Sequence, residues 1–107
     1  MNLMQTAKFS IGEVIYHKLF DYRGVIYDVD ANFQGTEEWY QQVARSRPPK
    51  DRPWYKILVD GQIAETYVAE KNLKTIPNNK NTIDNPMVEQ VFASFHNGSY
   101  VLRQTNN

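Results

Sequence analysis

Apolar and polar positions alternate most clearly over Pro53 to Glu70. Trp54 to Val59 and Ile63 to Val68 are both rich in aromatic and β-branched residues, which suit a pleated, half-buried surface. Asp60-Gly61 lies between them. A two-residue type I′ turn needs positive φ at both central positions, which Asp tolerates and Gly accepts freely. The pattern therefore predicts a hairpin. Val59 faces Gln62, Leu58 faces Ile63, Ile57 faces Ala64, Lys56 faces Glu65, Tyr55 faces Thr66 and Trp54 faces Tyr67. One face then carries an aromatic pair and an opposite-charge pair, each worth about 0.2–1 kcal/mol. A one-residue slip would send every side chain to the other face. The register requires a loop of two residues.

Upstream, residues 1–9 read as a lead-in. Glu13 to Lys18 is a strand with Val14 and Tyr16 on one face and Ile15 and His17 on the other. Phe20-Asp21-Tyr22 reads as a turn. Arg23 to Ala31 is a second strand, with Val25, Tyr27 and Val29 on one side and Ile26, Asp28 and Asp30 on the other. Gly24 within it predicts a bulge or a close backbone approach. Asn32 to Arg52 is the long connection. Thr36 to Arg45 reads either as an irregular loop or as a short helix. The helix would have Thr36 as N-cap, Glu37 and Glu38 in the first turn, and Trp39, Tyr40 and Val43 as its stripe. Arg45 to Arg52 must be extended, because paired prolines break a helix. With no apolar residue to bury, it is expected to be exposed and mobile.

Downstream, Ala69 to Leu73 reads as one 3₁₀ turn, and Lys74-Thr75-Ile76 as a short last strand. Pro77 to Asn85 is Asn-rich and bracketed by prolines, a linker composition. A short C-terminal helix is predicted over residues 86–95, with Asn85 as N-cap and Pro86 at the favoured first position. Met87, Val88, Val91, Phe92 and Phe95 form its stripe, and His96-Asn97-Gly98 stops it.

Four or five short strands and one long loop predict a mainly β fold, a small SH3-like antiparallel β-barrel over residues 10–76. Residues 77–107 form a linker and C-terminal segment. The chain has 107 residues, enough for one domain with a modest core. Without cysteine, disulfides and thiolate metal sites are excluded. No apolar run approaches the ~18–20 residues a membrane helix needs, and the N-terminus lacks a signal-peptide pattern. A soluble intracellular protein is expected. Lys+Arg equals Asp+Glu at 12 each, so charge alone does not point to nucleic acid.

Candidate chemistry is sparse. Asp28 and Asp30 could hold a cation or act as an acid/base pair. No histidine or third carboxylate lies nearby to complete a site, and a solvated sheet edge is the simpler reading. His17 and His96 fit no metal motif. No serine sits in a nucleophile-elbow context. No catalytic, cofactor or metal residues are therefore assigned. Arg45, Arg47, Lys50 and Arg52 form the one basic cluster, with Trp39, Tyr40 and Trp54 beside it. This suits a phosphate-contacting loop, or simply a solvated one. Trp54, Tyr55 and Tyr67 either pack the barrel or present a protein-binding surface. Phe92 and Phe95 are open to the same two readings, and an exposed hairpin edge could accept a partner strand.

Four segments are similar to a known family: Lys8-Phe-Ser-Ile-Gly, His17 to Asp30, Arg52-Pro-Trp-Tyr, and Thr66-Tyr-Val-Ala-Glu-Lys-Asn-Leu. Their order and spacing resemble the HspQ family, also called the YccV-like or hemimethylated-DNA-binding domain, over Ala7 to Ile76. The resemblance implies a bacterial cytoplasmic heat-shock protein with an SH3-like barrel and no enzymatic activity. It implies binding of hemimethylated double-stranded DNA and turnover of the replication initiator. It further implies an adaptor that brings protein substrates to a Lon-type protease, with homo-oligomers formed. Neutral net charge favours protein partners, with the DNA-binding module as the alternative.

Overall fold

The computed structural model describes residues 6–104. Five strands make one antiparallel sheet: β1 (Val14–His17), β2 (Tyr22–Asp30), β3 (Trp54–Val59), β4 (Glu65–Ala69) and β5 (Leu73–Thr75). Their order is β4-β3-β2-β1-β5. A 3₁₀ turn, Glu70–Asn72, joins β4 to β5. The sheet curls around Phe9, Ile15, Ile26, Tyr55, Ile57, Val68 and Leu73. The class is mainly β, as the pattern predicts. The sheet does not close, because among the described residues β4 pairs only with β3 and β5 only with β1.

The β3–β4 register differs from the predicted one by two residues. Trp54 faces Ala69, Lys56 faces Tyr67 and Leu58 faces Glu65. Val59 N donates to Ala64 O at 3.0 Å, so Asp60 to Ile63 form a four-residue loop. Contacts from distant residues hold it open. Asp60 pairs with Arg23 at 2.9 Å and accepts from Asp84 N at 2.7 Å. Only Gly61 of the expected turn pair takes positive φ, at 82°. An even shift preserves which side chains share a face. Ile63, expected to pair with Leu58, is 85% exposed.

In β2 the bulge falls between Ile26 and Asp28, three residues beyond Gly24. It flips the alternation, so Val25 joins the outer cluster and Val29 the inner one. Gly24 marks a close approach instead: a Cβ there would lie 2.4 Å from Ile57 Cγ2 and 2.7 Å from Leu58 O.

The predicted helix over 86–95 ends after one turn, α2 (Val88–Val91), and β6 (Phe92–His96) and β7 (Ser99–Leu102) follow. Asn97 and Gly98 both take positive φ, 51° and 84°, which is the tight hairpin turn that Asn-Gly favours. Phe92 and Tyr100 pack on Val14, Val25 and Leu58, on the outer face of the sheet. Tyr100 N donates to Gly12 O at 2.8 Å, and the Tyr100 hydroxyl accepts from Ile83 N at 2.7 Å.

Candidate partner groove and basic loop

The long connection contains the helix α1 (Glu37–Val43). Thr36 caps it, its hydroxyl accepting from Trp39 N at 3.1 Å. Trp39 and Tyr40 face inward onto Phe33, Trp54 and Tyr67, with ring centroids 4.7–6.3 Å apart. The segment after the helix is exposed, as its polarity predicts, except at Pro48, and it turns at Arg45–Ser46 and Lys50–Asp51 instead of running extended, with Arg47 at φ 50°. Pro48 is fully buried. Tyr40 Oη donates to Pro48 O at 2.7 Å and Trp54 Nε1 to Pro49 O at 3.0 Å. Proline supplied the apolar surface that the polar neighbours hid.

α1 stands off the sheet and leaves a groove of about 1050 Å³ along β4. Leu19 and Phe20 of the β1–β2 turn and Tyr22 at the start of β2 line one side, and Trp39, Val43 and Ala44 the other. Leu19 is 56% exposed, Phe20 68% and Val43 49%. Exposed apolar side chains gathered at one concavity mark a binding surface more often than chance does. Tyr67 borders the groove, and its phenol donates to Asp30 Oδ2 at 2.6 Å. Burial, and then that carboxylate, push the phenol pKa up, so it remains a donor.

His17 shapes one wall. It is 2% exposed, and its Nδ1 accepts from both Leu19 N and Phe20 N at 3.1 Å. Its ring lies against Phe20 and Tyr22. Nδ1 must be unprotonated to accept these bonds. Burial lowers the pKa of His17. A histidine with a lowered folded pKa adds stability that is whole above about 6.5 and is lost as pH falls through the folded value. Acid is therefore expected to loosen the Leu19–Phe20 turn. His17→Asn keeps an acceptor near the Nδ1 position, so its melting temperature should fall less steeply than wild type below pH 6.5. Equal slopes would contradict this role.

The other predicted site residues scatter. Asp28 lies 3.8 Å from Lys56 and Asp30 accepts from Tyr67. Among the described residues no three His, Cys, Asp or Glu gather as a metal site. Within the basic cluster, Lys50 pairs with Glu37 and lies over the Tyr40 ring, 4.3 Å from its centroid. Arg47 donates to the C-terminal carbonyls of α1, Tyr40 O and Gln41 O, at 3.2 Å. Arg45 and Arg52 are exposed. Of the aromatic candidates, Trp54 is 1% exposed and Tyr55 is fully buried, its hydroxyl on Glu70. Phe92 is buried under the C-terminal hairpin, and Phe95 packs on Tyr100 at 4.6 Å. Tyr67 alone of these five borders the groove while partly exposed. Sequence reading missed Leu19, Phe20 and Val43. The available signal was an apolar pair placed in a turn, where no strand alternation requires one.

Fold and groove define a mainly β module built around an open sheet edge. Over residues 7–99 the chain matches the YccV-like family model, described as hemimethylated DNA-binding protein YccV like. The chain belongs to that family. No helix among the described residues is long and apolar enough to cross a membrane.

Proposed function

We propose that this chain is a non-enzymatic adaptor whose groove holds segments of client proteins for a Lon-type protease in the bacterial cytoplasm. The observation that carries this is the cluster of exposed Leu19, Phe20 and Val43 around a groove of about 1050 Å³. The resemblance to the HspQ family supplies the protease and the replication initiator as a client. Homo-oligomers are part of the same reading. The test is degradation of an unfolded client by Lon with and without the chain. Burying one phenylalanine side chain contributes about 1.5–3 kcal/mol, which is about tenfold or more in affinity. Phe20→Ser should therefore weaken stimulation by about tenfold while leaving the melting temperature near wild type. Undiminished stimulation would sink the groove reading.

The second reading is a module for hemimethylated duplex, favoured by the family description and by exposed Arg45 and Arg52. Arg47 and Lys50 would have to leave internal partners to join them. Each phosphate contact adds about −0.9 to the slope of log affinity against log salt. Two free cations thus give weak binding that salt abolishes. Tight, salt-resistant preference for hemimethylated over fully methylated duplex would favour DNA instead.

A further inference from the structure

Among the described residues, the outward-facing backbone groups of β4 along the groove have no backbone partner. Val59 N donates to Ala64 O and Glu70 N to Pro53 O, which fixes the two ends of the β3–β4 ladder. Bonded and non-bonded pairs alternate along an antiparallel ladder. The peptide groups of Glu65, Tyr67 and Ala69 therefore point away from β3. Among the described residues no strand lies beyond them. Strand edges are commonly blunted by charge, proline or a covering loop. This one is flanked by apolar walls instead.

We infer that β4 binds an extended segment of a client protein by strand addition, an inference that rests on the adaptor reading above. Side chains of an added strand point alternately to its two faces. One set meets the wall that holds Phe20, the other the wall that holds Trp39. Main-chain bonds supply affinity without regard to sequence, and the walls select apolar residues at alternate positions. Charge narrows the occupant further. Asp30 and Glu65 border the groove and neither has an ion pair among the described residues. Arg45 borders it too. The fitting segment carries a lysine or arginine where it passes Glu65 and an acidic residue where it passes Arg45.

The probe is a short fluorescent peptide with valine or isoleucine at alternate positions, lysine at one end and glutamate at the other. Binding to the full chain is followed by anisotropy, and amide protection by hydrogen exchange. A peptide blocked along its backbone is the decisive probe. Ala69 is 2% exposed and packs with Trp54 and Tyr40, so the accessible part of the edge is Glu65 to Tyr67. In wild type the Tyr67 amide should gain protection on binding. A peptide N-methylated at two consecutive central residues, which removes donors from both its edges, should fail to bind. Glu65→Lys should weaken the lysine-bearing peptide while keeping the edge N–H.

Equal binding by the N-methylated peptide overturns strand addition. Self-association of wild type that protects the Tyr67 amide, without peptide binding, assigns the edge to a second copy and also overturns it. If no peptide binds but Lon stimulation persists and responds to Phe20→Ser, strand addition fails and the adaptor reading stands. If Phe20→Ser leaves stimulation unchanged as well, both fall.

Discussion

Trp54→Ala is expected to lower the unfolding free energy by about 3–5 kcal/mol, the usual cost of emptying a large aromatic site. Domains of this size have about 5–15 kcal/mol in total. Trp54 is 1% exposed and touches Phe33, Trp39, Tyr40 and Tyr67. Its indole N–H also holds the Pro49 carbonyl. The substitution removes the platform beneath α1 and frees the proline segment together. Trp54→Phe keeps most of the area and loses the hydrogen bond, worth about 0.5–1.5 kcal/mol. Chemical denaturation of both variants measures the difference. A Trp54→Ala loss under about 1 kcal/mol, below the usual range for such a site, would show that the helix packs without this ring.

Asn85→Ala is expected to cost about 1.5–4.5 kcal/mol, from three hydrogen bonds at about 0.5–1.5 kcal/mol each. Asn85 is 6% exposed. Its amide donates to Val59 O at 3.0 Å and Ala64 O at 3.1 Å, and its carbonyl accepts from Met87 N at 2.9 Å. One side chain closes the β3–β4 loop and holds the turn before α2, whose N-cap is Met87 and not Asn85 as the sequence predicts. Asn85→Asp replaces the donor with acceptors facing two carbonyls, so it should destabilise at least as much. If denaturation leaves both variants near wild type, the C-terminal segment is not part of the cooperative core.

These two residues show how far the sequence could be read. The apolar pattern located all five sheet strands to within two residues and offered Thr36 as the cap of α1 in one of two readings. It failed where distant partners decide. The β3–β4 loop opens because Arg23, Asp84 and Asn85 hold it, and no local turn rule contains them. The helix over 86–95 failed differently. A short apolar run fits either period, and Asn97-Gly98, the strongest hairpin signal in that region, was read as a stop. For the site, Tyr67 was legible as an aromatic on a strand. Leu19, Phe20 and Val43 were not, because the groove arises only when the β1–β2 turn and α1 are brought to opposite sides of β4.

The same separation bears on the basic loop. Its spacing suggested four cations for phosphate, but spacing carries no information on internal partners. Lys50 and Arg47 are held by α1. Local charge is a poor guide where a helix C-terminus and an aromatic face can each take a cation.

The most direct test is an amide chemical-shift map of the full chain, titrated with an unfolded client segment and separately with hemimethylated duplex. The adaptor account predicts that the client shifts Leu19, Phe20, Trp39, Val43 and Tyr67, while the duplex at physiological salt shifts little. A duplex response centred on Arg45 to Arg52, with those groove residues silent toward the client, would contradict it.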